Sequence, residues 1–161
     1  MPAHFITVTC YGTWLHGDAR SPWNRKSESL GQYIVQPDPA LEATMRGRMK
    51  HNAQRLSAAM RKCVREAIEG YCAFKGWELS ALNVRSNHFH AVVVAEESGS
   101  KVQNAIKARA TRLLREQGLS PADQPIWTER GSHVVLTTET SFNAAVHYVL
   151  HEQGPDLPEA Q

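Results

Sequence analysis

His88, Phe89 and His90 set two imidazoles at positions i and i+2. On a strand these positions project to one face and Phe89 to the other. Both histidines could then converge on one ion while Phe89 enters a core. Two imidazoles, a carboxylate and open positions suit a divalent cation acting as a Lewis acid. Taken alone, the pair equally describes two solvated surface histidines. Tyr148 and Glu152 are four residues apart, so on a helix they share a face. A tyrosine hydroxyl beside a cation-bound phosphate can act as a nucleophile. Glu152, one turn later, could supply the oxygen ligand that two histidines lack. The other reading of Tyr148 is packing, because Phe142, Ala145, Val146 and Val149 make an apolar stripe next to it. His147 and His151 also have i,i+4 spacing, but no third ligand motif accompanies them and they read as solvent- or substrate-facing.

The charges around these residues are unevenly placed. The chain has 161 residues, 18 Lys+Arg against 16 Asp+Glu, and a net charge of +2. Residues 43–65 hold seven basic residues and no acidic one, and residues 101–117 hold five basic residues against Glu116. No Lys or Arg follows Arg130, whereas Glu139, Glu152, Asp156 and Glu159 all lie there. Clustered Lys and Arg that displace counterions from phosphates are the footprint of a nucleic-acid binder. A pair of solvated helix faces would look the same. The size predicts a single domain over residues 1–161, and 42% apolar with 21% charged residues is a globular composition. No apolar run is long enough to span a membrane. The first residues lack a secretory pattern, and three cysteines without a CxxC pair fit a reducing compartment. A cytoplasmic protein is the expectation.

These side chains need elements to hold them. Residues 5–11 (FITVTCY) read as a first strand. Residues 12–40, with Gly17, Pro22, Gly31, Pro37 and Pro39, read as a long insertion that is mobile or contacts a partner. Its Arg20, Trp23 and Arg25 could meet nucleic acid by charge and stacking. A helical pattern spans residues 41–74, with Leu56, Met60, Val64, Ala67, Ile68 and Tyr71 as its apolar stripe, and Gly76 ends it. Residues 77–84 and 88–95 form a hairpin around Arg85, Ser86 and Asn87. Ser100 caps a helix over residues 101–117 whose stripe is Val102, Ile106, Ala110, Leu113 and Leu114. Residues 126–137 read as a fourth strand. Residues 141–153 read as a last helix, capped near Thr140 or Ser141 and ended by Gly154 and Pro155. The resulting class is α+β: a ferredoxin-like (RRM-like) β-α-β-β-α-β antiparallel sheet with an added C-terminal helix carrying the tyrosine.

Taken as a set, the stretches FITVTCYGTWLHGDAR, NHFHAVVV, NAIKARATRLLRE, IWTERGSHVV and AAVHYVLHEQG resemble the HUH-endonuclease single-tyrosine transposases. The likeness is to the small transposases of bacterial insertion sequences and their REP-associated tyrosine transposase relatives, and it runs from residue 5 to residue 154. The resemblance implies metal-dependent cleavage and rejoining of single-stranded DNA beside hairpins. His88 and His90 would hold Mg²⁺ or Mn²⁺, and Tyr148 would attack the phosphate to leave a 5′-phosphotyrosine and a free 3′-hydroxyl. The family carries Gln or Asn four residues after its tyrosine as third ligand. Here that place is taken by Glu152, with Gln153 beside it, so Glu152 is the expected third ligand and Gln153 its rival. The Asn-Pro common in REP-associated relatives is replaced by Glu152-Gln153-Gly154-Pro155.

Phosphodiester attack needs neutralised oxygens, a positioned nucleophile and a groove for the backbone. The DNA-contacting candidates are Arg20, Trp23, Arg25, Arg46, Arg48, Arg55, Lys107, Arg109, Arg112 and Arg130. Such contacts position a strand more than they specify its sequence. The expected partner is single-stranded or hairpin DNA, with monomer and homodimer both open and no membrane partner. Two other readings share the plan. One is a non-catalytic RRM-like binding module, which would need exposed sheet aromatics that NHFHAVVV lacks. The other is an HUH replication initiator or relaxase, often longer or with a third histidine.

Overall fold

The structure, a computed structural model, describes residues 1–13, 40, 43, 47 and 49–159. Four antiparallel strands make one sheet: β1 (Ala3–Thr9), β2 (Glu78–Val84), β3 (His88–Val94) and β4 (Ser132–Leu136), in spatial order β2-β3-β1-β4. Helices α1 (Ala58–Lys75), α2 (Gly99–Glu116) and α3 (Glu139–His151) accompany it among the described residues, where Ala40, Ala43 and Gly47 are helical as well. The result is a mixed α/β fold. No helix among the described residues is long and apolar enough to cross a membrane.

The sheet has two different faces because side chains alternate along a strand. Ile6 and Val8 of β1 and Phe89, Ala91 and Val93 of β3 are buried together with Val64 and Ile68 of α1 and Val102, Ile106 and Leu114 of α2. This is the main core, and the expected stripes of both helices supply it, with Tyr71 and Leu113 at its margin. Trp127 closes one end, its ring edge-on to Phe89 at 5.4 Å while its Nε1 donates to Thr111 Oγ1 at 3.0 Å. Cys10, Cys63 and Cys72 are free and buried. Burial pushes the Cys10 thiol up to about 12 and that of Cys72 to about 11, so neither is a ready nucleophile. The opposite face carries a smaller cluster: Ala81 and Val92 of the sheet against Ala145 and Val149 of α3, with Phe5, Leu136, Phe142 and Val146 around them.

Element ends differ from the sequence expectations in ways that local hydrogen bonding explains. α1 does not run through residues 49–57. Gln54 N–H donates to Tyr11 O and Leu56 N–H to Ser86 O, which takes this stretch out of helical register, and Ser57 then caps α1 through Met60 N–H. Leu56 still enters the core. Ser98 rather than Ser100 caps α2, accepting from Lys101 N–H. Thr138 rather than Thr140 or Ser141 caps α3, in a reciprocal box with Ser141. β4 is shorter than residues 126–137, since Trp127 forms an isolated bridge to Cys10, just beyond β1, and no continuous ladder joins it to Ser132. At the end of α1, Gly76 takes φ 70°, the left-handed turn expected of it.

Candidate active site

The α3 face of the sheet is where the chemistry-bearing residues gather. Register sets Thr7 opposite His90 and His90 opposite Asn83 across three strands, so these side chains form one row. Phe89, between the two histidines, is fully buried on the other face, as the alternation requires. His88 and His90 face each other with ring centroids 4.8 Å apart. His90 Nδ1 shares a hydrogen bond with Thr7 Oγ1 at 2.9 Å, and His88 Nδ1 lies 2.7 Å from Asn87 Oδ1. Burial lowers both imidazoles, and the neighbouring His88 adds to the effect on His90, which falls to about 4. At neutral pH both rings are therefore uncharged, the form that can ligate a metal.

α3 reaches this row through its last turn. Asn83 Nδ2 donates to Val149 O at 3.0 Å, pinning the helix to β2. The Tyr148 ring sits edge-on to His90 at 5.5 Å and to Phe5 at 5.9 Å, with 38% of the residue exposed. Tyr148 is thus a rim residue beside the histidines, held by ring contacts and open to solvent. It meets the His90 of its own chain.

The third polar group at the pair is Gln153. Its Nε2 donates to Tyr148 O at 3.2 Å, and its Oε1 stands 3.3 Å from His88 Nε2. Glu152, expected there from i,i+4 spacing, turns to His147, with Oε1 3.5 Å from Nδ1. The physical reason is that α3 ends at His151. Glu152 takes φ −114° and ψ 20°, so the next residue folds back under the helix end while Glu152 points outward. Among the described residues, no three His, Cys, Asp or Glu side chains form a metal-holding group. Among the described residues, the Thr7 hydroxyl and the amide oxygens of Asn87 and Gln153 are polar groups that meet the pair.

The basic residues divide by location. Arg20, Trp23, Arg25, Arg46 and Arg48 lie outside the described residues. Arg55 borders the β2–β3 turn, donating from Nη2 to Ser86 Oγ at 3.3 Å. Arg85 of the same turn, absent from the sequence candidates, is close enough for its charge to disfavour protonation of His88. Its position three residues before His88 was the available signal. Lys107 is committed elsewhere: its ammonium donates to Thr128 O at 2.9 Å. Arg112 pairs with Glu116 at 2.8 Å. Arg109 and Arg112 line a groove between α1 and α2 with Tyr71 and Phe74, in the helix layer across the sheet from the histidines. Arg130 is exposed. The acidic tail lies on α1, where Arg61 Nη2 donates to Pro158 O at 2.6 Å and Arg65 meets Glu159 at 3.7 Å.

Residues 45–152 match the family model described as "Transposase IS200 like". No curated protein matches the chain. A solved structure of a REP-associated tyrosine transposase bound to a REP hairpin is similar to it, with 16% identity and a TM-score of 0.49. That similarity covers 92% of this chain and 64% of the other, so this chain spans less than two thirds of that protein's length.

Proposed function

The chain belongs to the IS200-like transposase family, and from that premise we propose that it cleaves and rejoins single-stranded DNA beside hairpins, with Tyr148 as nucleophile. The observation that carries this reading is the meeting of Tyr148, His88, His90 and Gln153 at one rim of the sheet. We take the strand order as the ferredoxin-like arrangement, in which the added helix α3 delivers the tyrosine.

The expected cation is Mg²⁺ or Mn²⁺, for which two neutral nitrogens and an amide oxygen would be three ligands, the remaining places going to water and phosphate oxygens. His88, His90 and Gln153 would hold it, in place of the expected Glu152. Such a cation supplies neutralisation of charge on the nonbridging oxygens. The chain's own groups do the rest. The Tyr148 oxygen forms a bond to phosphorus as the bond from phosphorus to the leaving 3′-oxygen breaks, so the phosphate passes to the protein as a 5′-phosphotyrosine. The phenolic proton leaves to solvent, and the departing 3′-oxygen takes one up. Rejoining is the same displacement run backwards with another 3′-hydroxyl. Arg55, which meets Ser86 of the β2–β3 turn, and Arg85, near His88, would hold the flanking phosphates. As an IS200-like transposase the protein would act on DNA in the cytoplasm, on the nucleoid.

The test is incubation with Mn²⁺ and a single-stranded hairpin taken from the flanks of the encoding locus, followed by denaturing gel electrophoresis. Wild type should give a covalent protein–DNA band that EDTA suppresses. Tyr148→Phe should bind the hairpin with unchanged affinity and give no band. Equal adduct from both proteins would remove Tyr148 from the mechanism.

A further inference from the structure

We propose that Thr7 is a positioning residue: its hydroxyl sets the flip of the His90 ring, so that Nε2 is the nitrogen offered to the cation. The proposal rests on the reading of His88, His90 and Gln153 as the cation site.

Ring contacts alone leave the His90 side chain half specified. Its imidazole stacks on Phe5 at 5.5 Å and meets the rings of His88 at 4.8 Å and Tyr148 at 5.5 Å. Such contacts fix the plane of the ring. They hardly tell one ring edge from the other, and a half-turn about the Cβ–Cγ bond exchanges Nδ1 with a carbon while keeping the plane. A hydrogen bond makes the choice. His90 Nδ1 lies 2.9 Å from Thr7 Oγ1, a contact that a flipped ring would lose, since a carbon would then face the hydroxyl. With Nδ1 held, ligation falls to Nε2. A neutral ring that ligates through Nε2 carries its proton on Nδ1, and a hydroxyl oxygen can accept that proton in a hydrogen bond.

Thr7 is a firm anchor. It lies on β1, which is paired with β3 on one side and β4 on the other, and it stands directly opposite His90. Its β-branched side chain has few rotamers. From α2, Gln103, buried to 5% exposure, donates from Nε2 to Thr7 O at 3.2 Å and to Ser132 O at 3.1 Å. These two carbonyls belong to the last pair of the β1–β4 ladder, so one buried amide ties off the ladder at the residue that holds His90. Gly131 makes room for it: a Cβ there would collide with Gln103 Nε2 and Thr7 O. The support therefore runs from α2 through Gln103 to the Thr7 backbone, and from the Thr7 hydroxyl to His90.

Two substitutions separate this role from plain packing, because they remove different parts of Thr7. Thr7→Val keeps the β-branched shape and loses the hydroxyl, whereas Thr7→Ser keeps the hydroxyl and loses a methyl group. Mn²⁺ titration of the whole chain, followed by electron paramagnetic resonance, should show Thr7→Val binding about 10- to 100-fold more weakly, the usual cost of losing a group that orients a metal ligand. Thr7→Ser should bind as wild type does. Denaturant unfolding, in which Thr7→Ser should be the less stable of the two because strands favour β-branched residues, shows that affinity does not simply follow stability. Should circular dichroism find Thr7→Val unfolded, Thr7→Ala repeats the hydroxyl-free measurement. Wild-type Mn²⁺ affinity in the hydroxyl-free protein, or an equal loss in Thr7→Ser, overturns the positioning role and leaves the cation site standing. Absence of Mn²⁺ binding by wild type overturns both this role and the cation site it serves.

Discussion

Phe89 and His90 are neighbours on one strand and end in different worlds. Phe89 is fully buried under two long helices, in a core that draws on both of their apolar stripes. His90 lies on the face that, among the described residues, the thirteen residues of α3 cover, beside the Thr7 hydroxyl and the rings of His88 and Tyr148. The face under α1 and α2 uses close-packed hydrocarbon, where volume decides the energy. The other face places polar atoms that water would otherwise satisfy, and it stays open at the Tyr148 rim. A single strand thereby joins a rigid support to a reactive surface, and one residue of register separates the two.

The largest expected effect tests that division directly. Phe89→Ala should cost about 3–5 kcal/mol of folding stability, the usual figure for removing a buried aromatic ring. His90→Ala removes one hydrogen bond and ring contacts, so about 1–2 kcal/mol is expected. Mn²⁺ binding should show the reverse order: lost in His90→Ala and kept in whatever fraction of Phe89→Ala remains folded. Denaturant unfolding and Mn²⁺ titration on the same samples check both. Comparable destabilisation by the two changes would mean that the histidine face is core as well, and the contrast would fail.

The strand side of this contrast could be read from the sequence because its period is two: HFH forces the ring one way and the imidazoles the other. The helix stripes were legible for the same reason, with Val64, Ile68, Val102 and Ile106 all fully buried. The start of α1 was not legible. Residues 49–57 look helical by composition, yet their backbone is claimed by Tyr11 and Ser86 from distant parts of the chain, and periodicity carries no information about such partners. The place of Gln153 beside His88 was hidden for the same kind of reason. The i,i+4 rule that favoured Glu152 assumes a helix that continues, whereas α3 ends at His151. Arg20, Trp23, Arg25, Arg46 and Arg48 fall outside the described residues.

The helix end provides the next contrast, between two adjacent side chains. Gln153→Ala removes the amide oxygen beside His88 and should weaken Mn²⁺ binding by at least about tenfold, the lower end of the range for groups that support a metal site. Glu152→Ala removes an exposed carboxylate whose partner is His147, and should change the affinity by less than about twofold, in keeping with the small worth of surface ion pairs. A reversed order would return the third ligand to the residue that spacing alone favours, and would require the last turn of α3 to rearrange when the cation binds.

The smallest effect concerns which arginines touch DNA. Arg55 and Arg85 sit at the β2–β3 turn next to His88, whereas Arg109 and Arg112 lie in the groove between α1 and α2 on the far side of the sheet. Each phosphate contact that is lost should lower the slope of log affinity against log salt by about one on duplex DNA, and by about 0.7 on a single strand. Arg55→Ala with Arg85→Ala should therefore flatten the slope by roughly 1.4 on single-stranded DNA, and the gap from wild type should be widest at low salt. Arg109→Ala with Arg112→Ala should leave the slope unchanged if the strand runs along the histidine face. Arg112 is also partly neutralised by Glu116, which reduces the charge it can offer. A slope lowered by the second pair and untouched by the first would place the DNA on the helix layer, too far from Tyr148 for both to act on one phosphate. Fluorescence anisotropy over a salt series resolves these outcomes, and because all four arginines lie outside the buried core, loss of fold does not compete as an explanation.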